Sequence, residues 1–252
     1  MHIFKLNILG GEYIVKLYSV INIDIIGSRK IKNREEVQAR IIENIKLINN
    51  KFKSILCCPI NITLGDEWQV VLDDISKSYE IINMFQQILR KEKIQLYAGI
   101  GIGTISTKLY EDTRLMDGEA FIFARQALNI IKQKNRFYNK FLNSKKNNVY
   151  FNGVLLFDRK SRVTLNSMIN VTIENNEVLK SQITEKQYMM IELYDRAGSY
   201  NNVIYKRRDI SKSNISKKLN DSNYFVIKNN NKLLEAFIKT YCSILGDNRY
   251  DE

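Results

Sequence analysis

The sequence predicts an α+β protein, and three observations carry that prediction. Strand-like runs alternate with amphipathic helical stretches through residues 1–157, helical spacing dominates residues 184–252, and a basic, asparagine-rich stretch lies between them. Residues 18–26 form a β-branched run around Asp24. Asn33 followed by Glu36 marks a helix start, and Val37, Ile41, Ile45 and Ile48 then recur at helical spacing. Residues 60–64 and 68–72 read as strands around a Gly65-Asp66-Glu67 hairpin. A second helix starts near Ser76, with Tyr79, Ile82, Phe85 and Leu89 on one face. Residues 94–102 alternate as a strand carrying glycines, and a third helix over 118–132 buries Phe121, Ala124 and Leu128. Strand, helix, hairpin, helix, strand, helix is the order of a split βαβ, ferredoxin-like plan.

Beyond it the character changes. Residues 131–162 carry nine Lys/Arg against the single acid Asp158. Residues 149–157 either close the sheet or begin a connector, and Leu165, Met168, Ile169 and Ile173 suggest a connecting helix. Thr184 is placed to cap a helix ending at Ala197 and Gly198. A short helix over 202–209, a turn at Ile210 and Ser211, and a further helix over 213–220 follow. Tyr224, Phe225 and Val226 read as a small strand or wing before a last helix over 233–245. The predicted division is 1–157, a connector over 158–183, and an all-α helix-turn-helix unit over 184–252.

Composition narrows the chemistry. The 252 residues carry a formal charge of +12 and a pI near 9.4, which calls for a polyanionic partner. Nucleic acid ranks above anionic lipid, because the C-terminal cations fall inside the helix-turn-helix pattern. No run approaches the ~18 apolar residues of a membrane span, and Lys5, Asn7 and Glu12 interrupt the start, against a signal peptide. Cys57, Cys58 and Cys242 read as reduced thiols, so a cytoplasmic location is expected. With His2 the single histidine, Ser-His-Asp and Cys-His catalysis and histidine-ligated zinc or iron are excluded. The Gly99–Gly103 run lacks dinucleotide-fingerprint spacing.

Two aspartates stand out. Asp24 interrupts a buried strand, where a charge is costly unless paired or bound to a cation. Asp66 sits at a hairpin tip. Converging at one sheet edge, they would hold magnesium against a nucleoside triphosphate. Alternatively, Asp24 caps the next helix and Asp66 fills a turn. Glu67 is either an outer metal ligand or solvent-facing, and Trp68 either stacks on a base or belongs to the core.

The runs Asp24-Ile25-Ile26-Gly27, Gly65-Asp66 and Ile100-Gly101-Ile102-Gly103, with Asp117-Gly118 and Ala124-Arg125, resemble the successive motifs of class III nucleotidyl cyclases and related palm domains. More closely, Asp24-Ile25-Ile26-Gly27-Ser28-Arg29-Lys30, Thr63-Leu64-Gly65-Asp66-Glu67, Asp117-Gly118 and Ala124-Arg125 resemble the SatD family, over about residues 18–245. The resemblance implies a palm domain joined to a C-terminal helix-turn-helix. It places Asp24 and Asp66 at metal positions, Gly27, Gly65 and Glu67 beside the nucleotide, and Arg125 where phosphate charge is stabilised. Ile62 and Phe121 stand where adenylyl cyclases have a base-selecting lysine and an asparagine. Cyclases of this type complete their site between two subunits, which implies a homodimer.

At the C-terminus, Lys206, Arg207, Arg208, Lys212, Ser213, Asn214, Lys217 and Lys218 surround Ile215 and Leu219. Small polar residues at a helix start reach base edges, and flanking cations meet phosphates. A solvated basic helical hairpin for protein contact is the alternative. The sequence therefore points to a DNA-binding regulator with a nucleotide-sensing palm. A magnesium-dependent cyclase or nucleotidyltransferase, or a degenerate palm serving as a dimerisation platform, are the other readings.

Overall fold

The computed structural model describes residues 16–156, 164–207, 209–247 and 249. The start read against a signal peptide, His2, and Arg208 lie outside the described residues. The elements are β1 (Tyr18–Ile25), α1 (Arg34–Lys51), β2 (Asn61–Leu64), β3 (Glu67–Leu72), α2 (Ser78–Arg90), β4 (Leu96–Gly103), α3 (Glu119–Lys132), α4 (Lys134–Phe137), β5 (Val149–Gly153), α5 (Leu165–Ser181), α6 (Glu185–Ala197), α7 (Tyr200–Lys206), α8 (Lys212–Asp221) and α9 (Tyr224–Ile244). The protein is α+β, as the sequence predicts.

The strands form one sheet in the order β2-β3-β1-β4-β5. The β2-β3, β3-β1 and β1-β4 pairs are antiparallel, and β5 joins β4 in parallel. That parallel pair needs a crossover, which α3 supplies. Of the two options for residues 149–157, closing the sheet is what β5 does.

Period-two alternation sorts side chains between two faces. Ile21, Ile23, Trp68, Val70, Leu72, Ala98, Ile100 and Ile102 point into the main core, with Ile41, Ile45 and Ile48 of α1 and Ile81, Ile82 and Phe85 of α2. Val20 and Val71 point the other way, against Ala120, Phe121 and Ala124 of α3. Glycine decides how close α3 comes. A Cβ on Gly101 would lie 2.1 Å from the Ala124 nitrogen and 2.3 Å from the Ala120 oxygen, and one on Gly99 would lie 2.3 Å from the Leu128 nitrogen. The glycines of β4 are thus the seat of a helix backbone.

A separate cluster joins Met190, Ile191, Ala197, Val203, Ile215, Leu219 and Tyr224 across α6, α7, α8 and the start of α9. Thr184 and Gln187 close a capping box at the start of α6, and Gly198 ends it at φ 74°. One expectation fails here. Tyr224, Phe225 and Val226 are no strand or wing but the first turn of α9. This helix starts in the small cluster and ends in the main core, where Leu234, Ile238, Tyr241 and Cys242 are buried.

The far end of the chain is fastened to β1. The Leu17 N–H donates to Asp247 Oδ2 at 3.0 Å, and Arg249 reaches Asp247, Asp73 and the Leu17 carbonyl. No helix among the described residues is long and apolar enough to cross a membrane. The three cysteines are free. Burial pushes their thiols up, to about 12, 11 and 12 for Cys57, Cys58 and Cys242, so they behave as packing groups.

Candidate functional site

The α3-facing side of the sheet carries a buried polar patch. Asp24 lies opposite Glu67, and Asn22 lies opposite Gln69. All four are buried. Two cations of α3 lie over them: Lys132 Nζ is 3.1 Å from Asp24 Oδ2, and Arg125 Nη2 is 2.6 Å from Glu67 Oε1. The second contact is an ion pair without an N–H aligned on that oxygen, which has no hydrogen-bond partner. Asn22 is fully buried, and neither its Oδ1 nor its Nδ2 has a protein hydrogen-bond partner.

Burial pushes the Asp24 carboxyl above the ordinary carboxylate range. Lys132 draws it down, and the charges of Asp66 and Glu67 push it up again. Asp24 does not cap the next helical turn, whose cap position Gly27 occupies. Glu67 is not solvent-facing. Trp68 is core, its ring 5.4 Å from Phe85.

Asp66 is half-buried and lines a crevice on the α1 side with Ile25, Ser28, Arg34 and Trp68. At about 20 Å³ that crevice is far below the ~300 Å³ at which small-molecule sites begin. Gly27 and Gly65 adopt left-handed backbone, φ 68° and 55°. The two aspartates are near enough to feel each other's charge. However, among the described residues no group of three or more His, Cys, Asp or Glu side chains is placed to hold a metal ion. Asp24 and Glu67 are instead engaged with cations of their own chain, an arrangement that does not fit a magnesium ion.

The sequence reading missed Asn22, Gln69 and Lys132. The signal available was polar residues two positions from Asp24 and Glu67 in apolar strands. Phe121 is buried in the α3 contact and Ile62 packs on the main core, so both departures from the cyclase pattern are packing residues.

The C-terminal residues are arranged differently. Ser211 caps α8 by accepting from the Asn214 N–H at 3.2 Å. Ile215 and Leu219 are fully buried, while Lys212, Ser213, Asn214 and Lys217 are exposed and Lys218 is half-buried. Lys206 and Arg207 are exposed at the end of α7, with Arg207 paired to Asp209 at 3.2 Å. Arg208 lies outside the described residues.

The molecule is thus an α+β protein with an ion-paired polar patch on its sheet and a basic face on its helical tail. The chain belongs to the SatD family, whose family model matches residues 18–236. No curated protein matches the chain.

Proposed function

We propose that this protein is a DNA-binding regulator whose sheet domain responds to a nucleotide. One observation carries the reading: α8 turns Lys212, Ser213, Asn214 and Lys217 outward while Ile215 and Leu219 anchor it to α6 and α7. A recognition helix needs that division, with short polar side chains for base edges and lysines for phosphates. The net charge of +12 supplies the long-range attraction. We read α6, α7 and α8 as the helix-turn-helix, in a cytoplasmic protein that pairs two copies on a divided DNA site.

The sheet domain is read as a ferredoxin-like palm on the strand order β2-β3-β1-β4 and its antiparallel pairing. Its polar patch favours sensing over turnover, because Arg125 and Asp24 are each held by a partner in the same chain. Magnesium would require Lys132 and Arg125 to release the carboxylates. Because Arg125 meets Glu67 within one chain, the pairing of two copies is read from the DNA-binding helices.

Selection of duplexes from a random pool tests the reading. The wild type should enrich a defined sequence, and Ser213→Ala with Asn214→Ala should bind DNA but lose that preference. Enrichment of no sequence, or preference unchanged in the double variant, would remove α8 from the role.

A further inference from the structure

A second feature lies away from the polar patch. A cavity of about 530 Å³ opens where the last turns of α2 and α5 meet the start of α6, the beginning of β4 and the segment between α3 and β5. Its volume falls inside the ~300–1,000 Å³ range of small-molecule sites. Five cations line it, Arg90, Lys134, Lys145, Lys146 and Lys180, against one carboxylate, Glu177.

Two of these charges are answered. Lys180 lies 2.5 Å from Glu177, whose carboxylate also accepts from Tyr79 and Gln86. Arg90 pairs with Glu185 at 2.5 Å and stacks its guanidinium 3.4 Å from the Tyr188 ring centroid. They also complement the negative ends of α2 and α5. Lys134, Lys145 and Lys146 form no ion pair among the described residues. Lys134 is held inward by the Lys145 carbonyl and by Asn148 Oδ1, both at 2.9 Å. The remaining wall supplies amides, Asn83, Gln86 and Gln95, and the rings of Tyr97 and Tyr188.

We infer that this cavity binds a small phosphorylated molecule of nucleotide size, its phosphates toward Lys134, Lys145 and Lys146 and its body against the tyrosines. These three lysines lack an ion-pair partner among the described residues in one concave site, and a polyanion relieves the repulsion between neighbours such as Lys146 and Lys134. Consistently, burial lowers the Lys134 pKa and the neighbouring Lys146 lowers it further, against the Glu177 carboxylate, which raises it. Tyr188 belongs to α6, the first helix of the small cluster, so a ligand here contacts the helical unit directly. The inference is separate from the sheet-face patch and does not depend on DNA binding.

Calorimetric titration of the full chain with ATP and with inorganic pyrophosphate, in low salt with EDTA present, tests it. Both should bind without metal. Lys145→Glu with Lys146→Glu, both on exposed residues, should weaken binding at least tenfold, and Lys146→Glu alone less. Lys217→Ala with Lys218→Ala should leave pyrophosphate binding unchanged. Absence of binding at millimolar probe, binding unaffected by the double reversal, or reversal-sensitive binding of duplex DNA with none of the small probes would each overturn the inference. Loss of DNA binding alone would leave it standing.

Discussion

Asn22→Leu should make the protein more stable. The side chain is fully buried in the middle of β1, and neither its carbonyl oxygen nor its amide nitrogen has a protein partner. Each buried, unsatisfied polar group costs roughly 1–3 kcal/mol. Leucine has nearly the same branching and replaces both groups with methyls. Counting both groups at the low end, the gain is about 2–4 kcal/mol, or on the order of 5–15 °C for a chain of this length. Urea unfolding followed by circular dichroism, with calorimetry for Tm, reads it directly. The same variant should blunt any response of the sheet domain to triphosphate, because stability given up at a buried site reflects a use for the polar group. A variant as stable as the wild type, or less stable, would refute the reasoning, since Asn22 would then be satisfied in solution.

Further outcomes follow from other contacts. Gly101→Ala should destabilise by about 3 kcal/mol, because its Cβ would meet α3 backbone at 2.1 Å and no rotamer relieves that; a denaturation midpoint equal to the wild type's would contradict it. Asp24→Asn should raise Tm at neutral pH. A carboxyl held above its unfolded pKa contributes stability below that unfolded value and loses it as pH rises through the folded one. If magnesium stabilises the wild type, this variant should lose that effect, and Tm measured with and without metal separates the two. At the chain end, burial pushes Asp247 and Asp73 up. Hydrogen bonds from Arg249 to both, with Lys16 on Asp73 and the Leu17 N–H on Asp247, outweigh it and hold them below the ordinary range. Their contribution is therefore present above about pH 4 and lost as pH falls through the lowered values. Arg249→Met should flatten that acid limb of the stability profile, and an unchanged limb would count against the clamp.

What the sequence made legible was whatever local chemistry controls. Thr184 and Gly198 bounded α6, and Ile41, Ile45 and Ile48 set the buried face of α1. The start of α9 was hidden for an opposite reason. Tyr224-Phe225-Val226 favours strand locally, and the asparagines at 229–231 weaken a helix. Tertiary contacts override both: Asn230 and Asn231 hydrogen-bond Asn176 of α5, at 2.9 and 3.0 Å. The polar patch was half legible. Asp24 and Glu67 were visible as charges, but their pairing depends on strand register, and their engagement with Lys132 and Arg125 depends on how closely α3 settles on the glycines of β4. The basic cavity gathers segments far apart in sequence, and its single trace was the lysine excess after residue 131.

The most direct test of the central claim is duplex DNA binding measured by fluorescence anisotropy across a salt series. Phosphate contacts release counterions, so the logarithm of affinity should fall linearly with the logarithm of salt, by roughly 0.9 per contact. Lys217→Ala with Lys218→Ala should weaken binding on every sequence and reduce that slope by about 2. Binding that is absent at low salt, or a double variant with the wild-type slope and affinity, would contradict the account.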